Sequence, residues 1–306
     1  MRAASCTLFV TFATLFVAAG VSHAQGCGMT GAGAQQARSG NLDEALTTFQ
    51  KDIAADPQAS APNCGAGIVL DLMGRTAEAK KYFEKAIETA STPQAKANAE
   101  RSMALSYAFD GDCANTIKYE QKVLDYFVST GDFYNQGEIA DEAARVCIDA
   151  GKLDDAEKWY KTGHDLGLKQ PDATPDRKHL WEFRLEHALA RLAARRSNSA
   201  EAAKHVGAAK AILDADPTLS GQQAQFYPYL TGYVDYYLGN YKGALEELQK
   251  ANQNDAFIQC LIGMTYEKLG DKDKAKEFYT KASKVMGHNP PAAFARPFAR
   301  KKLGSI

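Results

Sequence analysis

Small, helix-breaking and large apolar residues recur along this chain in one fixed order. A small residue is followed after seven positions by glycine, after five more by alanine, and after four more by an aromatic or aliphatic residue. Five copies are complete, and they begin at Gly33, Gly67, Ala144, Gly232 and Gly263. Glycine ends one helix before the next begins, and residues four apart share a helix face. The pattern therefore predicts a series of helix–turn–helix units.

Two weaker copies lie between the complete ones. Ala104 and Gly111 keep the first half of one copy. The other copy keeps Ala190 and Ala202 but has Ser197 where the glycine is expected. Seven copies in all predict about fourteen repeat helices and no sheet, because no unit buries its apolar face without a neighbour.

The spacing and the markers of the units resemble those of the tetratricopeptide repeat. Gly40 and Gly74 lie 34 residues apart, which is the period of that repeat. The last copy carries the family markers Gly263, Tyr266, Ala275, Tyr279 and Ala282. The resemblance implies an all-α fold: a right-handed α-solenoid of about seven units with a short C-terminal capping helix. It also implies a binding role, with the first helix of each unit lining a concave groove.

The first 24 residues have the features of a secretory signal peptide. Arg2 is followed by an uncharged apolar stretch from Leu8 to Val21 and by the small-residue site Ser22-His23-Ala24. We therefore expect export to the periplasm or beyond the cell, with cleavage after Ala24. An uncleaved membrane anchor and lipidation of Cys27 are the alternatives.

The rest of the chain divides into an array and a tail. Residues 25–288 form the predicted solenoid, with a weak seam at 167–177, where Pro171 and Pro175 interrupt the helices. Residues 289–306 form a basic capping tail, which begins with Asn289 and two prolines.

Composition excludes several classes of partner. The chain is 45% hydrophobic and 24% charged with a net charge of −1, which suits a folded protein and offers no strongly basic surface for nucleic acid. No transmembrane segment is expected after signal cleavage.

Motifs for catalysis, cofactors or metals are not evident in the sequence. It has no phosphate-binding loop, no dinucleotide-binding fingerprint and no zinc-protease or nucleophile-elbow motif. His179 and His187 lie near acidic residues, and Glu138, Asp141 and Glu142 cluster on one helix, but a solvated or ion-paired helix explains both sets better. We therefore expect no enzyme activity, no cofactor and no metal.

The first helices carry three stripes of chemistry at helical spacing. One is acidic, one is basic, and one is aromatic. A basic stripe beside an aromatic one suits a peptide with carboxylates and an apolar anchor, and aromatic and arginine side chains dominate interface energetics. The predicted partner-binding residues are Arg184, His187, Arg191, Arg195, Phe226, Tyr229 and Tyr233. The alternative for the tyrosines is packing between helices.

Five cysteines remain after signal cleavage, and neighbouring units bring four of them together. Cys113 begins the second helix of one unit and Cys147 ends the first helix of the next. Cys27 and Cys64 lie in the opening turns of neighbouring first helices. Export permits disulfides, so we predict the pairs Cys113–Cys147 and Cys27–Cys64.

Three functions fit these observations. The first is a non-catalytic scaffold or assembly module outside the cytoplasm, which binds a peptide or protein partner in the concave groove. The second is a helical envelope enzyme acting on glycans, which needs paired carboxylates facing a cleft. The third is a small-ligand sensor that uses the aromatic stripe, which needs a closed pocket rather than an open groove. The sequence leaves the oligomeric state open.

Overall fold

The computed structural model describes residues 27–305, and this part of the chain contains sixteen helices and no strand. Fourteen of the helices form seven helix–turn–helix pairs: α1 (Gly31–Arg38) and α2 (Leu42–Ala55), α3 (Ser60–Met73) and α4 (Thr76–Glu88), α5 (Pro93–Phe109) and α6 (Cys113–Thr130), α7 (Phe133–Asp149) and α8 (Leu153–Gly167), α9 (Pro175–Arg195) and α10 (Ser199–Ala215), α12 (Phe226–Tyr237) and α13 (Tyr241–Leu248), α14 (Ala256–Leu269) and α15 (Lys272–Lys284). The predicted all-α array of seven units is confirmed.

The turn within each pair uses the left-handed backbone conformation that the repeat pattern predicts. Gly74 ends α3 at φ +86° and Gly270 ends α14 at φ +87°. Ser197, the one serine at this repeat position, also has a positive φ of 58°. Asp271 then caps the following helix by accepting a hydrogen bond from the backbone N–H of Lys274.

The small residue of each first helix makes room for a large residue of the second helix. A methyl group on Gly67 would lie 2.7 Å from the ring of Phe83, and one on Gly263 would lie 2.9 Å from the ring of Tyr279. Both rings are fully buried. The small and large residues of the sequence pattern therefore recur because each pair of helices packs this closely.

The predicted seam between the fourth and fifth units is a connection of seven residues, 168–174. Trp181 of α9 is 1% exposed and packs against Gly167, the last residue before this connection. A methyl group on Gly167 would lie 2.0 Å from the indole, and one on Gly137 of α7 would lie 2.6 Å from it. One buried indole thus joins α7, α8 and α9 across the seam.

Two helices lie outside the seven pairs. The short helix α11 (Pro217–Gln222) stands between α10 and α12, and the repeat pattern does not predict it. The tail forms α16 (Pro290–Leu303), which begins at the two prolines rather than after them. Proline fits the first helical turn, and the side chain of Asn289 accepts a hydrogen bond from the backbone N–H of Ala292.

Helix α16 does more than cap the last unit, because it also reaches back to the first half of the array. It packs on α14 and α15 and contacts α5 and α7. Arg296 is 2% exposed and donates hydrogen bonds to the backbone oxygens of Leu72 and Val285, both at 2.6 Å. His288, just before the helix, pairs with the buried Asp71 at 2.8 Å. The C-terminal segment therefore connects the last unit to the second unit.

Two disulfides join neighbouring units. Cys27 bonds to Cys64 with 5.8 Å between the Cα atoms, and Cys113 bonds to Cys147 with 4.9 Å between them. Cys27 precedes α1, which begins at Gly31, so it does not lie in the opening turn of a first helix as the sequence predicted. Cys260 is a free, buried thiol. Both bonded pairs are those named from the sequence.

The predicted signal peptide and its cleavage site lie outside the described residues. Among the helices of residues 27–305, none is both long enough and apolar enough to cross a membrane.

Candidate functional site

First helices of successive units lie side by side and enclose a cavity of about 490 Å³. Helices α7, α9, α12 and α14 contribute to it, α8 adds one residue, and the start of α16 closes one side. The lining residues are Glu138, Asp141, Glu142, Arg145, Tyr160, Phe183, Arg184, His187, Arg191, Gln223, Gln225, Phe226, Tyr229, Asn252, Asp255, Ile258, Asn289, Pro290 and Pro291. This volume is within the usual range for small-molecule sites, about 300–1,000 Å³.

Helix α7 presents three carboxylates to the cavity, and two of them are neutralised by arginine. Glu138 accepts a hydrogen bond from Arg184 of α9. Glu142 accepts two from Arg101 of α5. Asp141 lies between them and has no hydrogen bond or ion pair with any residue from 27 to 305. The acidic cluster is therefore one unpaired carboxylate beside two ion pairs.

Asp141 is perturbed by its surroundings. Burial raises its pKa to about 7, although Arg184 and Arg191 act in the opposite direction. At neutral pH the protonated and the ionised carboxyl are thus both populated. A cation that binds beside the carboxyl would favour the ionised form.

Arg191 is the most deeply buried cation of the cavity. The residue is 4% exposed, and its guanidinium donates hydrogen bonds to the hydroxyl of Tyr160 at 3.0 Å and to that of Tyr229 at 3.4 Å. Its Nε donates to the backbone oxygen of His187 at 3.3 Å. Within the described residues Arg191 has no carboxylate partner, so its charge is solvated by neutral oxygens alone.

Arg145 lies in the same region but has an acidic partner. Its Nε donates to Asp149 at 3.3 Å, and its guanidinium lies 4.3 Å from the ring centroid of Phe257.

His187 is buried beside these arginines. Burial, together with the charges of Arg191 and Arg145, holds the pKa of the imidazole well below its usual range, so the ring is neutral at pH 7. Its Nε2 is buried and has no hydrogen-bond partner among residues 27–305. His187 also lines the cavity, and a buried ring nitrogen without a partner makes this residue a candidate contact for a ligand.

Five of the seven predicted partner-binding residues line this cavity: Arg184, His187, Arg191, Phe226 and Tyr229. The other two, Arg195 and Tyr233, lie outside it and bond to each other, with 3.3 Å between the guanidinium and the phenol oxygen. Tyr233 is fully buried and stacks on Phe257 at 6.2 Å. Its role in the structure is packing between α12 and α14, which was the alternative for the stripe.

Exposure differs sharply among the five that line the cavity. Phe226 is 51% exposed, so it lies where the cavity meets solvent. Tyr229 is 5% exposed and forms an inner wall. The basic and aromatic stripes thus meet in a recess rather than along an open groove.

Sequence reasoning missed the side of the cavity formed by the C-terminal segment. Asn289, Pro290 and Pro291 line it, although they lie about a hundred residues from the α9 stripe. No periodicity indicates such a contact. The Asn-Pro-Pro signal locates a helix start without saying where that helix packs.

Metal ligation has no support in this arrangement. Across the described part of the chain no group of three or more His, Cys, Asp or Glu side chains is placed to hold a metal ion. His179 bonds to Asp216 at 2.7 Å, and Glu186 bonds to His205 at 2.5 Å, so the two acidic–histidine candidates are separate pairs.

Comparison with known proteins agrees with the fold. The family model described as tetratricopeptide repeat matches residues 63–93 and 258–285, which lie in the second and last units. The solved apo form of RapI superposes with a TM-score of 0.55 at 10% identity, covering 90% of this chain and 97% of that one. A tetratricopeptide repeat protein from Parabacteroides merdae covers 89% of this chain and 94% of its own, with 14% identity and a TM-score of 0.49.

One curated relative is similar in sequence. The photosystem I assembly protein Ycf3 of Synechococcus sp. strain CC9902 is 27% identical over 94 residues, or 30% of this chain. The matched region spans 54% of that relative's length. The two matched units and the fold together support the interpretation of this chain as a tetratricopeptide repeat protein. Proteins of this class bind protein partners and are generally non-catalytic.

Proposed function

We propose that this chain is a non-catalytic interaction module that acts outside the cytoplasm and binds a peptide or protein partner on its concave face. The observation that carries the proposal is the recess on the first-helix side, where an exposed aromatic side chain stands beside buried arginines. Aromatic and arginine residues at the centre of a concave surface are the usual anchors of an interface.

Phe226 is the proposed anchor for the partner. Three large hydrophobic residues are exposed between positions 27 and 305, namely Val128, Phe226 and Leu269, and of these Phe226 alone lines the cavity. An apolar side chain of the partner would bury this ring. Arg184, half-buried on the neighbouring helix, would orient an acidic group of the partner, as charge pairs at interfaces do.

The charges of the recess favour binding over catalysis. A glycan-cleaving site needs two free carboxylates on opposite sides of the bond. Here Glu138 and Glu142 are held by Arg184 and Arg101, and the Asp255 carboxylate accepts hydrogen bonds from the backbone N–H groups of Phe257 and Ile258. Asp141 is then the one carboxylate of the recess without such a contact in the described chain, and a single carboxylate does not supply the pair that glycan cleavage needs.

The disulfides support a location outside the cytoplasm. Two bridges in one chain suit an oxidising compartment, which agrees with the expected signal peptide. The bond to Cys64 occupies the sulfur of Cys27, and that sulfur is the atom a lipid anchor would require. The relative of known role is an assembly protein, which fits a module that binds other proteins.

Affinity capture with two matched variants tests the proposal. Phe226→Ala removes the exposed ring of the recess, and Val128→Ala removes an equally exposed apolar side chain, 57% exposed, on α6. The tagged chain is captured from the extracytoplasmic fraction of cells that produce it. We expect specific partners to be lost with Phe226→Ala and kept with Val128→Ala. Equal capture by both variants, or recovery of the chain only from the cytoplasm, would contradict the proposal.

A further inference from the structure

The charges of the cavity do not all cancel within the protein. Glu138 is paired with Arg184, Glu142 with Arg101, and Arg145 with Asp149. Asp255 caps α14. Of the groups that line the cavity, Arg191 is then the one arginine of the described chain without an ion pair. Asp141 and Asp255 have no ion pair either, but the carboxylate of Asp255 already accepts two backbone hydrogen bonds, which leaves Asp141 as the carboxylate available to a ligand.

Leaving a buried charge without a counter-charge is unfavourable, and proteins seldom do so without a function. Arg191 is only 4% exposed and is bonded to phenol hydroxyls and one backbone oxygen, none of which carries a charge. The guanidinium forks onto a carboxylate with two parallel hydrogen bonds, which is the geometry that it forms best. A ligand carboxylate would supply the missing charge.

A second observation points to a ligand independently. His187 Nε2 is buried, has no hydrogen-bond partner in the described chain and belongs to the cavity lining. Its residue is 7% exposed. His187 lies one helical turn before Arg191 on α9, so the two side chains lie on the same face of the helix.

We propose that this cavity binds a small zwitterion, a free amino acid with an apolar side chain, with its carboxylate at Arg191 and its ammonium at Asp141. Phe183, Tyr160 and Ile258 supply the apolar wall for the side chain. The raised pKa of Asp141 agrees, because an ammonium beside the carboxyl would stabilise its charged form.

The inner part of the recess has the size of a small-molecule site. Its volume of about 490 Å³ is typical of small-ligand sites. Asn289, Pro290 and Pro291 close the side toward the first half of the array, where α16 already contacts α5 and α7. The amino acid would bind at the buried Arg191, whereas the partner would contact the exposed Phe226 at the mouth of the same recess, so neither proposal depends on the other.

Calorimetric titration of the oxidised full-length chain with each of the twenty free amino acids tests the proposal. We expect at least one apolar amino acid to bind with a dissociation constant below about 1 mM. Its carboxamide and its analogue without the amino group should each bind at least about tenfold more weakly, because each lacks one of the two charges.

Two variants assign each charge to its residue. Asp141→Asn should weaken the amino acid at least about tenfold but leave the analogue without the amino group unchanged. Arg191→Gln should weaken the amino acid but leave the carboxamide unchanged. The controls are Asp154→Asn and Arg196→Gln, which alter a surface ion pair outside the cavity and should leave binding unchanged. Asp141→Asn keeps the test valid if Arg191→Gln fails to fold, because Asp141 has no bond to lose.

Three results would overturn the proposal. One is no heat from any amino acid at millimolar concentration. Another is equal binding of the amino acid and its analogue without the amino group. The third is an Asp141→Asn chain that binds the amino acid as tightly as the unmodified chain. Captured partners that depend on Phe226 would still stand in each case, so failure here is distinguishable from failure of the partner surface.

Discussion

At the scale of single residues, the most informative side chains are the two that remain unpaired. Asp141 and Arg191 face one cavity from α7 and α9, with every neighbouring ionised group already bonded. Burial keeps the Asp141 carboxyl partly protonated at neutral pH, whereas Arg191 remains charged. The cavity therefore has one group that stays positively charged, Arg191, and one group whose charge changes near neutral pH, Asp141.

This assignment predicts how Asp141 affects stability at different pH values. The folded carboxyl has a pKa of about 7, whereas an unfolded one has a pKa of about 3.9. Between these values the folded chain binds the extra proton, so stability falls as pH rises from about 4 to about 7.

Asp141→Asn removes this loss. We expect the variant to be more stable than the unmodified chain by about 1–2 kcal/mol at pH 8, less than the full shift implies because the side chain is partly solvated. The two chains should be equal at pH 4. Urea unfolding at both pH values measures the difference, with the exposed Asp154→Asn as control. A difference that is the same at both pH values would contradict the assignment.

At the scale of elements, the sequence predicted the units because their packing demands particular residues. Gly67 must be small because the ring of Phe83 lies against it, and Gly74 must tolerate a positive φ. The same two requirements recur in the other units, so small residues and turn glycines recur along the sequence and can be recognised there.

What could not be predicted is how far each helix rotates about its axis. Arg191, Tyr229 and Tyr233 belong to stripes with steps of three and four residues. That spacing places residues on one face of a helix but does not say whether the face is exposed, and all three residues are buried. Their burial depends on how the fifth, sixth and seventh units cross, and that angle is a property of several helices together. The short α11 was missed for a similar reason, since six residues carry no measurable period.

Ser197 offers a test of the turn. It adopts φ +58° where six other units have glycine, and a side chain in this conformation costs about 1 kcal/mol. We expect Ser197→Gly to stabilise the array by about 0.5–1 kcal/mol and the reciprocal Gly151→Ser, in the preceding unit, to destabilise it by a similar amount. Chemical denaturation measures both. A stability loss for Ser197→Gly would show that its side chain, not the backbone, determines this turn.

At the scale of the whole molecule, the C-terminal segment connects the last unit to the second. Residues Asp71 and His288 lie 217 positions apart and are bonded. Residues 289–291, which directly follow His288, line one side of the cavity. No local pattern predicts the contact between Asp71 and His288, because it depends on the summed superhelical curvature of seven units.

Arg296 makes the main polar contacts between the C-terminal segment and the rest of the array. Burial and the nearby Arg300 lower the pKa of its guanidinium to about 10, so it is still charged at neutral pH. Arg296→Met would leave the backbone oxygen of Val285 without this donor. We expect a loss of about 2–3 kcal/mol and faster amide exchange in α16. Lys301→Met, at an exposed position of the same helix, should change stability by less than about 0.5 kcal/mol. Unchanged exchange in the Arg296 variant would contradict this role of Arg296.

We propose that the concave recess, and not the outer face of the array, binds the partner. A photoreactive phenylalanine analogue placed at position 226 or at position 128, in cells that produce the chain, tests it most directly. We expect a discrete cross-linked protein from position 226 after illumination and none from position 128. A cross-link from position 128 alone, or the same product from both positions, would contradict it.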